Sequence, residues 1–363
     1  MTRFSLIGAS ALLLAHAGQA QTPPAGYPAE YAALIAQAKT EGSLLIYTNL
    51  SSLNLDPVVR AFNDAYPEIQ VETIEMGPSE AFSRYDAETG TGVQSADLII
   101  ANSITDWVRA VNAGTLDGYL SPERENLPAW SYPETGLYTF STDPMVTIFN
   151  KLTVPVDLQA TSMETYFANI KAHPEVFEGK VGTYDGRYAF GGAIGYAFAK
   201  YHGEEAWGWF ASAGPMTRPG GGAGGMIERT LTGELASSFF VSAPVVLSRM
   251  DPALDQVLGW AFPSDGTPVF LRGMGITEKA PHQAAARVFL DFVLSEPGQY
   301  AVAEGNLTPY RPGVMPEAEN AYSLDEVIAA IGDEEKLILI DYNPDMVADF
   351  EAFTARWGDA FKM

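Results

Sequence analysis

Residues 43–103 read SLLIYTNLSSLNLDPVVRAFNDAYPEIQVETIEMGPSEAFSRYDAETGTGVQSADLIIANS, and this stretch decides the fold class. Ser43–Thr48 is a short apolar run of the kind that forms a buried strand. Asp56-Pro57 offers a helix start, a capping side chain followed by proline at the first helical position. Val58, Val59 and Phe62 give that helix an apolar face, and Tyr66-Pro67 stops it. Val71–Met76 is a second strand, and Gly77-Pro78-Ser79 turns into a helix through about Glu88, with Ser79 as candidate N-cap. Asp97–Ala101 is a third strand, after which Asn102-Ser103 opens a helix ending at Gly114. Three strand–turn–helix units in succession predict a parallel α/β sheet.

Working outward, Tyr31–Lys39 is an Ala-rich helix closed by Gly42. Before it, Arg3, the apolar run Leu6–Ala15 and Gly18-Gln19-Ala20 have the order of a secretory signal cleaved after Ala20. The apolar run is too short for a membrane span. No cysteine follows it to carry a lipid, so a soluble periplasmic chain is expected. Downstream, Tyr138–Asn150 is a β-rich run containing Asp143-Pro144 and reads as an extended crossover. Lys180–Asp185 is a strand with a polar end, Gly191–Lys200 a helix, and Pro219–Gly225 a flexible loop before a helix at Met226–Thr232. Ala236–Leu247 reads as a further buried strand and Thr267–Ile276 as a second extended run returning the chain to its first domain. His282–Leu294 and Met346–Trp357 are helices. The order predicts two α/β lobes joined by two crossing strands. The signal is 1–20, lobe 1 is 21–142 plus 266–312, lobe 2 is 143–265, and 313–363 is a C-terminal helical segment.

Composition narrows the function. The 363 residues hold 21 Lys plus Arg against 45 Asp plus Glu, a formal charge of −24, so no basic footprint exists for nucleic acid. The absence of cysteine removes disulfides, thiolate metal sites and cysteine nucleophiles. His173, His202 and His282 lack the spacing of a zinc hydrolase, and no GxSxG occurs. The Gly220–Gly225 loop lacks the lysine and serine of a P-loop. These absences point away from an enzyme, an exported phosphatase being the enzymatic alternative.

Several segments carry a family resemblance: EGSLLIYTNLSS (41–52), VVRAFNDAYPEIQVE (58–72), SEAFSRYDAETGTGVQSADLIIANS (79–103), FNK (149–151), GKVGTYD (179–185), IERTLTGELA (227–236) and KAPHQAAARVFLDFVLSEPGQ (279–299). Together, from about Glu41 to Pro312, they resemble periplasmic solute-binding proteins of ABC importers, in the iron(III)-type branch. The resemblance implies the type II fold, two lobes closing on a ligand over a two-strand hinge, and an inner-membrane permease as partner, the binding protein itself a monomer. Iron-binding members carry adjacent tyrosines after the segment that reads GELASS here. This chain has Phe239-Phe240, which lack oxygen donors, and Asn49–Leu53 supplies neither His nor Tyr where such members use one. With hard ligands missing, a ferric site is the alternative rather than the expectation. The pattern at Ser79-Glu80 and Arg84, with the TYD segment, is nearest to members that bind hexose phosphates and related organic anions. Import and ligand sensing through a sensor kinase are not separated by these residues.

In open α/β sheets, ligands sit beyond the carboxyl ends of the strands, where bare helix N–H groups receive oxyanions. The polar turns there supply Thr48, Asn49, Ser51, Ser52, Ser79, Ser103, Thr183, Tyr184 and Asp185 as candidate ligand-binding residues. Ser79 and Ser103 have the alternative of capping their own helices. Arg84 and Arg272 are the candidate cations. Arg84 has a solvated helix face as its alternative. Arg272, inside an apolar run, is either paired with a buried carboxylate or directed into the cleft. Asp143 and Asp185 are candidate acceptors for sugar hydroxyls, Asp143 with an arginine as its other partner, and Ser242 is a candidate from the second lobe. The expected solute is a small organic anion, phosphorylated, with no cofactor and no metal-ligating residue expected from the chain.

Overall fold

The computed structural model describes residues 23–133, 135–318 and 320–363, so the expected signal at 1–20 lies outside the described residues. Among the described residues ten strands form: β1 Ser43–Thr48, β2 Gln70–Glu75, β3 Leu98–Ala101, β4 Leu137–Asn150, β5 Val181–Thr183, β6 Thr217–Pro219, β7 Ser237–Ser242, β8 Leu258–Ala261, β9 Thr267–Ile276 and β10 Leu337–Ile340. The hydrogen-bonded order is β2-β1-β3-β9-β4-β7-β5-β6, with β10 on β9 and β8 on β4. Parallel trios, β2-β1-β3 and β7-β5-β6, stand at either end. The long antiparallel pair β4 and β9 joins them. This is the expected α/β architecture, its parallel cores joined by antiparallel crossing strands into one mixed sheet flanked by helices.

β4 and β9 each serve both halves. Leu137–Pro144 of β4 pairs with β9, and its continuation Met145–Asn150 pairs with β7 and β8. β9 runs the opposite way, its start beside β10 and its end beside β3. The segment expected to be a helical C-terminus contains strand β10, parallel to the start of β9. Its last helix, Pro344–Phe361, packs on Ala189–His202 and Glu204–Ala213 of the second half. The chain therefore crosses between halves a third time. Trp357 is fully buried there, stacked on Phe361 at 4.0 Å and edge-on to Phe210 at 5.0 Å.

Local structure corrects four boundaries. The helix expected to start at Asp56-Pro57 begins at Ser52 with Ser51 as N-cap, and Pro57 lies inside it. Proline at the sixth helical position lacks the N–H that would bond back to the Leu53 carbonyl, so the helix forgoes one of its own hydrogen bonds there. Gly77, not Ser79, precedes the helix Pro78–Gly90, and the Gly77 N–H donates to Glu80 Oε2 at 3.2 Å. The Gly-rich loop ends earlier than expected, since Ala223–Leu231 is already helical. Ala236–Leu247 is two elements, β7 and then the helix Ala243–Leu247 begun by Pro244.

Within β7, Phe239 and Phe240 oppose the single Thr147 of β4, a bulge at which Phe240 takes φ +58°. Left-handed backbone is strained for an aromatic residue, and dense packing holds it here. Phe239 lies against Tyr166 and Phe167, and Phe240 against Phe198.

Candidate functional site

A cavity of about 450 Å³ opens where the two halves meet the crossing strands. Its wall takes Asn49 and Ser51 from the β1 carboxyl end, Asp143 from β4 and Arg272 from β9. Ser242 comes from the end of β7, Arg249 from just beyond the following helix, and Asn306 from the turn after the helix Glu296–Glu304. Leu50, Leu53, Pro244, Val245 and Leu307 add apolar surface. β1 ends here because its next residues start a helix. That places the bare N–H groups of the first turn of Ser52–Ala65 at the wall.

Arg272 forms the floor. It is 8% exposed, its Nη1 donates to Asn49 Oδ1 at 2.8 Å, and its Nε is buried without a hydrogen-bond partner. Asn49 is held in turn by its Nδ2, which donates to Asn102 Oδ1 at 2.9 Å. Burial pushes the Arg272 pKa down, and the nearby Asp143 charge opposes that. Of the two alternatives for Arg272, the carboxylate partner is not found: no acid lies within ion-pair distance of it among the described residues. Asp143 accepts from Ser242 Oγ at 2.6 Å. Enclosure lifts its carboxyl to about 6, while Ser242 and Arg272 hold it lower than burial alone would. Tyr184 stands behind, its phenol pushed up by burial and by the Asp143 charge, its oxygen facing the backbone N–H groups of Ser242 and Ala223.

Most of the remaining sequence candidates are engaged elsewhere or do not line the cavity. Thr48 Oγ1 accepts from the Leu50 N–H at 3.0 Å, and Ser51 Oγ donates to Asn54 Oδ1 at 2.9 Å. Ser52 and Ser79 are exposed in the first turns of their helices, and neither lines the cavity. Arg84 pairs with Glu88 at 2.8 Å and lies over the Tyr47 ring, its solvated alternative. Ser103 donates to Asp106 Oδ2 at 2.5 Å. Thr183 is buried with Oγ1 unpartnered, and Asp185 pairs with Arg187 at 2.7 Å, which holds its carboxyl below the usual range. The cavity thus gathers Asn49, Ser51, Asp143, Ser242 and Arg272 of the expected set.

Sequence reasoning missed Arg249 and Asn306. Arg249 is exposed at the mouth and makes no ion pair among the described residues. The other arginines there reach a carboxylate within 4.0 Å, except Arg124, which lies over the Tyr132 ring, and Arg272. In so acidic a chain, the two arginines left without acid or ring line one cavity. Asn306 takes φ +55°, a conformation asparagine tolerates, and this turns it to the wall.

A second polar chain lies at the amino end of β1. Ser43 Oγ is 3.0 Å from His282 Nε2, and His282 Nδ1 is 3.1 Å from Asp97 Oδ2. The order matches a hydrolase triad, yet Asp97 also accepts from the Leu45 and His282 N–H groups at 2.8 and 2.7 Å. It ties β1, β3 and the helix Gln283–Leu294 together. No group of three or more His, Cys, Asp or Glu able to hold a metal occurs among the described residues.

Residues 58–330 match the family described as bacterial extracellular solute-binding protein. The chain belongs to that family. The solute-binding protein is 26% identical over 263 residues to Iron uptake protein A1 of Synechocystis sp., spanning 63% of this chain and 71% of that one. Its fold is that of the substrate binding protein of an ABC transporter from Agrobacterium tumefaciens, with TM-score 0.73, 20% identity, and 90% and 97% of the two chains covered. It is also that of the periplasmic binding protein AfuA from Actinobacillus pleuropneumoniae, solved with fructose-6-phosphate, with TM-score 0.67, 20% identity, and 89% and 99% covered. The two-lobed periplasmic binding protein fold follows, and the family gives the chain the role of an extracellular solute-binding protein. No helix among the described residues is long and apolar enough to cross a membrane.

Proposed function

We propose that this protein captures a small organic anion, a sugar phosphate or related phosphorylated compound, between its two lobes and delivers it to an ABC permease from the periplasm. One observation carries the reading: Arg249 and Arg272, without acid or ring partners among the described residues, line the same cavity. The oxyanion would sit on Arg272, with Ser242 and the bare first-turn N–H groups after Ser51 as neutral donors. Arg249 would meet it from the second lobe on closure. The fructose-6-phosphate held by AfuA is consistent with this solute class. The net charge of −24 does not oppose it, because salt screens exposed charge beyond ~8 Å while the cavity acts locally.

Ferric iron is the second reading, favoured by the name of the Synechocystis relative. Against it, the wall carries one carboxylate, Asp143, and neither tyrosine nor histidine. Thermal shifts of the refolded, ligand-free protein separate the two. A solute at a hundred times its dissociation constant adds ~2.7 kcal/mol of stability. Sugar phosphates or phosphonates should give such a shift, and R272M should abolish it. Stabilisation by ferric ion with a tyrosinate charge-transfer band, and none by organic anions, would overturn the proposal.

A further inference from the structure

We infer that Asp143 is a specificity-determining residue: it selects oxyanions that carry a hydrogen-bond donor, a hydroxyl or an ammonium, on a short aliphatic chain beside the anionic group. The inference rests on the organic-anion reading and narrows it.

Asp143 and Arg272 face the cavity from neighbouring strands, β4 and β9, yet they form no ion pair. Each keeps unused capacity. Arg272 spends Nη1 on Asn49 and leaves Nε bare. Asp143 has Oδ1 filled by the Ser242 hydroxyl, and Oδ2 accepts no hydrogen bond from the described residues. The groups around Asp143 are Arg272 on β9, Tyr184 beyond β5 and Ser242 on β7. With its carboxyl at about 6, it is mostly an ionised acceptor at neutral pH.

An oxyanion seated on Arg272 abuts that carboxylate. Two acceptors in contact repel unless a hydrogen lies between Asp143 and the solute. A donor one or two bonds from the anionic group supplies it, as a simple alkyl anion cannot. The rest of the wall fits a chain better than a ring face. Leu53, 79% exposed, stands with Pro244 and Val245 from the other half, and no aromatic side chain lines the cavity.

Matched probes test this by calorimetric titration at pH 7.5: glycerol 3-phosphate against n-propyl phosphate, and 2-aminoethylphosphonate against ethylphosphonate. In the unaltered protein at least one donor-bearing member should bind about ten- to a hundred-fold more tightly than its partner, the range for a hydrogen bond to a charged group. The two pairs tell hydroxyl from ammonium. D143A should bring the ratio close to one. D143N keeps the shape and adds an amide donor, so it should favour the donor-less members. R272M should lose every probe. Equal binding within both pairs in the unaltered protein, with R272M still abolishing it, would overturn the role of Asp143 and leave the organic-anion reading intact. Failure of all four probes and of the sugar phosphates, with ferric ion binding, would overturn that reading and this inference with it.

Discussion

Arg272 on β9 donates to Asn49 at the end of β1 at 2.8 Å, although 223 residues separate them in sequence. The bond fixes a buried cation against the first-lobe wall without neutralising it. A buried charge without an ion-pair partner costs stability in the unliganded state. R272M should therefore melt at a higher temperature than the parent without ligand, while losing all ligand-induced stabilisation. Differential scanning calorimetry with and without solute reads both effects. A variant that melts lower and still binds would contradict the assignment.

Asp291 predicts a pH effect. It is fully buried, its Oδ2 accepts from the Tyr31 and Tyr119 hydroxyls at 2.8 and 2.6 Å, and burial lifts its carboxyl to about 7. Between the usual carboxylate range and about 7, the folded chain holds a proton the unfolded chain has released. Stability from this group is therefore present at the acid side and lost as pH rises through that window, by up to about 1.4 kcal/mol per pH unit. The difference in unfolding free energy between parent and D291N, followed from pH 4.5 to 7.5, should carry that slope. A flat difference would show that Asp291 titrates normally.

Asp97 sits at 0% exposure and accepts from two backbone N–H groups as well as His282. D97A leaves those buried donors unpaired, at a cost of about 1–3 kcal/mol for each lost partner. Chemical denaturation should show a large loss. S43A should cost far less, because Ser43 reaches the Asp97 clamp only through the His282 ring, and labelling by a fluorophosphonate should be absent in the parent.

Gly273 follows Arg272 on β9, and a Cβ there would run into the indole of Trp107, whose Nε1 donates to the Ala101 carbonyl at 2.9 Å. G273A should destabilise by about 1–3 kcal/mol through overpacking. It should also weaken solute binding by displacing its neighbour Arg272, and denaturation with titration of the same sample checks both.

Strongly patterned runs were legible in the sequence. β1 and β9 have the bounds read from SLLIYT and TPVFLRGMGI, because unbroken apolar runs between turn residues admit few alternatives. The start of the helix Ser52–Ala65 was misread because two capping signals compete there, and the Ser51 turn wins over Asp56-Pro57. The break between Ser242 and Ala243 was missed since apolar residues continue across it, with Pro244 as the only local sign. At the site, Asn49, Asp143, Ser242 and Arg272 were recognisable from polar or charged residues at strand ends or inside apolar runs. Arg249 was not. Nothing near it in sequence marks it, and its significance comes from the acids that are absent around it in three dimensions. The Phe239-Phe240 stretch offers no oxygen donor, and the bulge buries both rings while Ser242 and Pro244 meet the cavity.

The third crossing bears on the order in which the molecule can be completed. Gly186, Gly195 and Gly214 of the second half lie against Trp357, Phe353 or Ala360, so the last residues of the chain roof a core begun far earlier. A polypeptide grows from its amino end, and β1, β2 and β3 are all synthesised long before β10 exists. The second half has to wait, unroofed, until the final turns of the helix Pro344–Phe361 have been synthesised. A chain cut short after β9 would keep both arginines of the cavity yet lack the roof that keeps the second half folded.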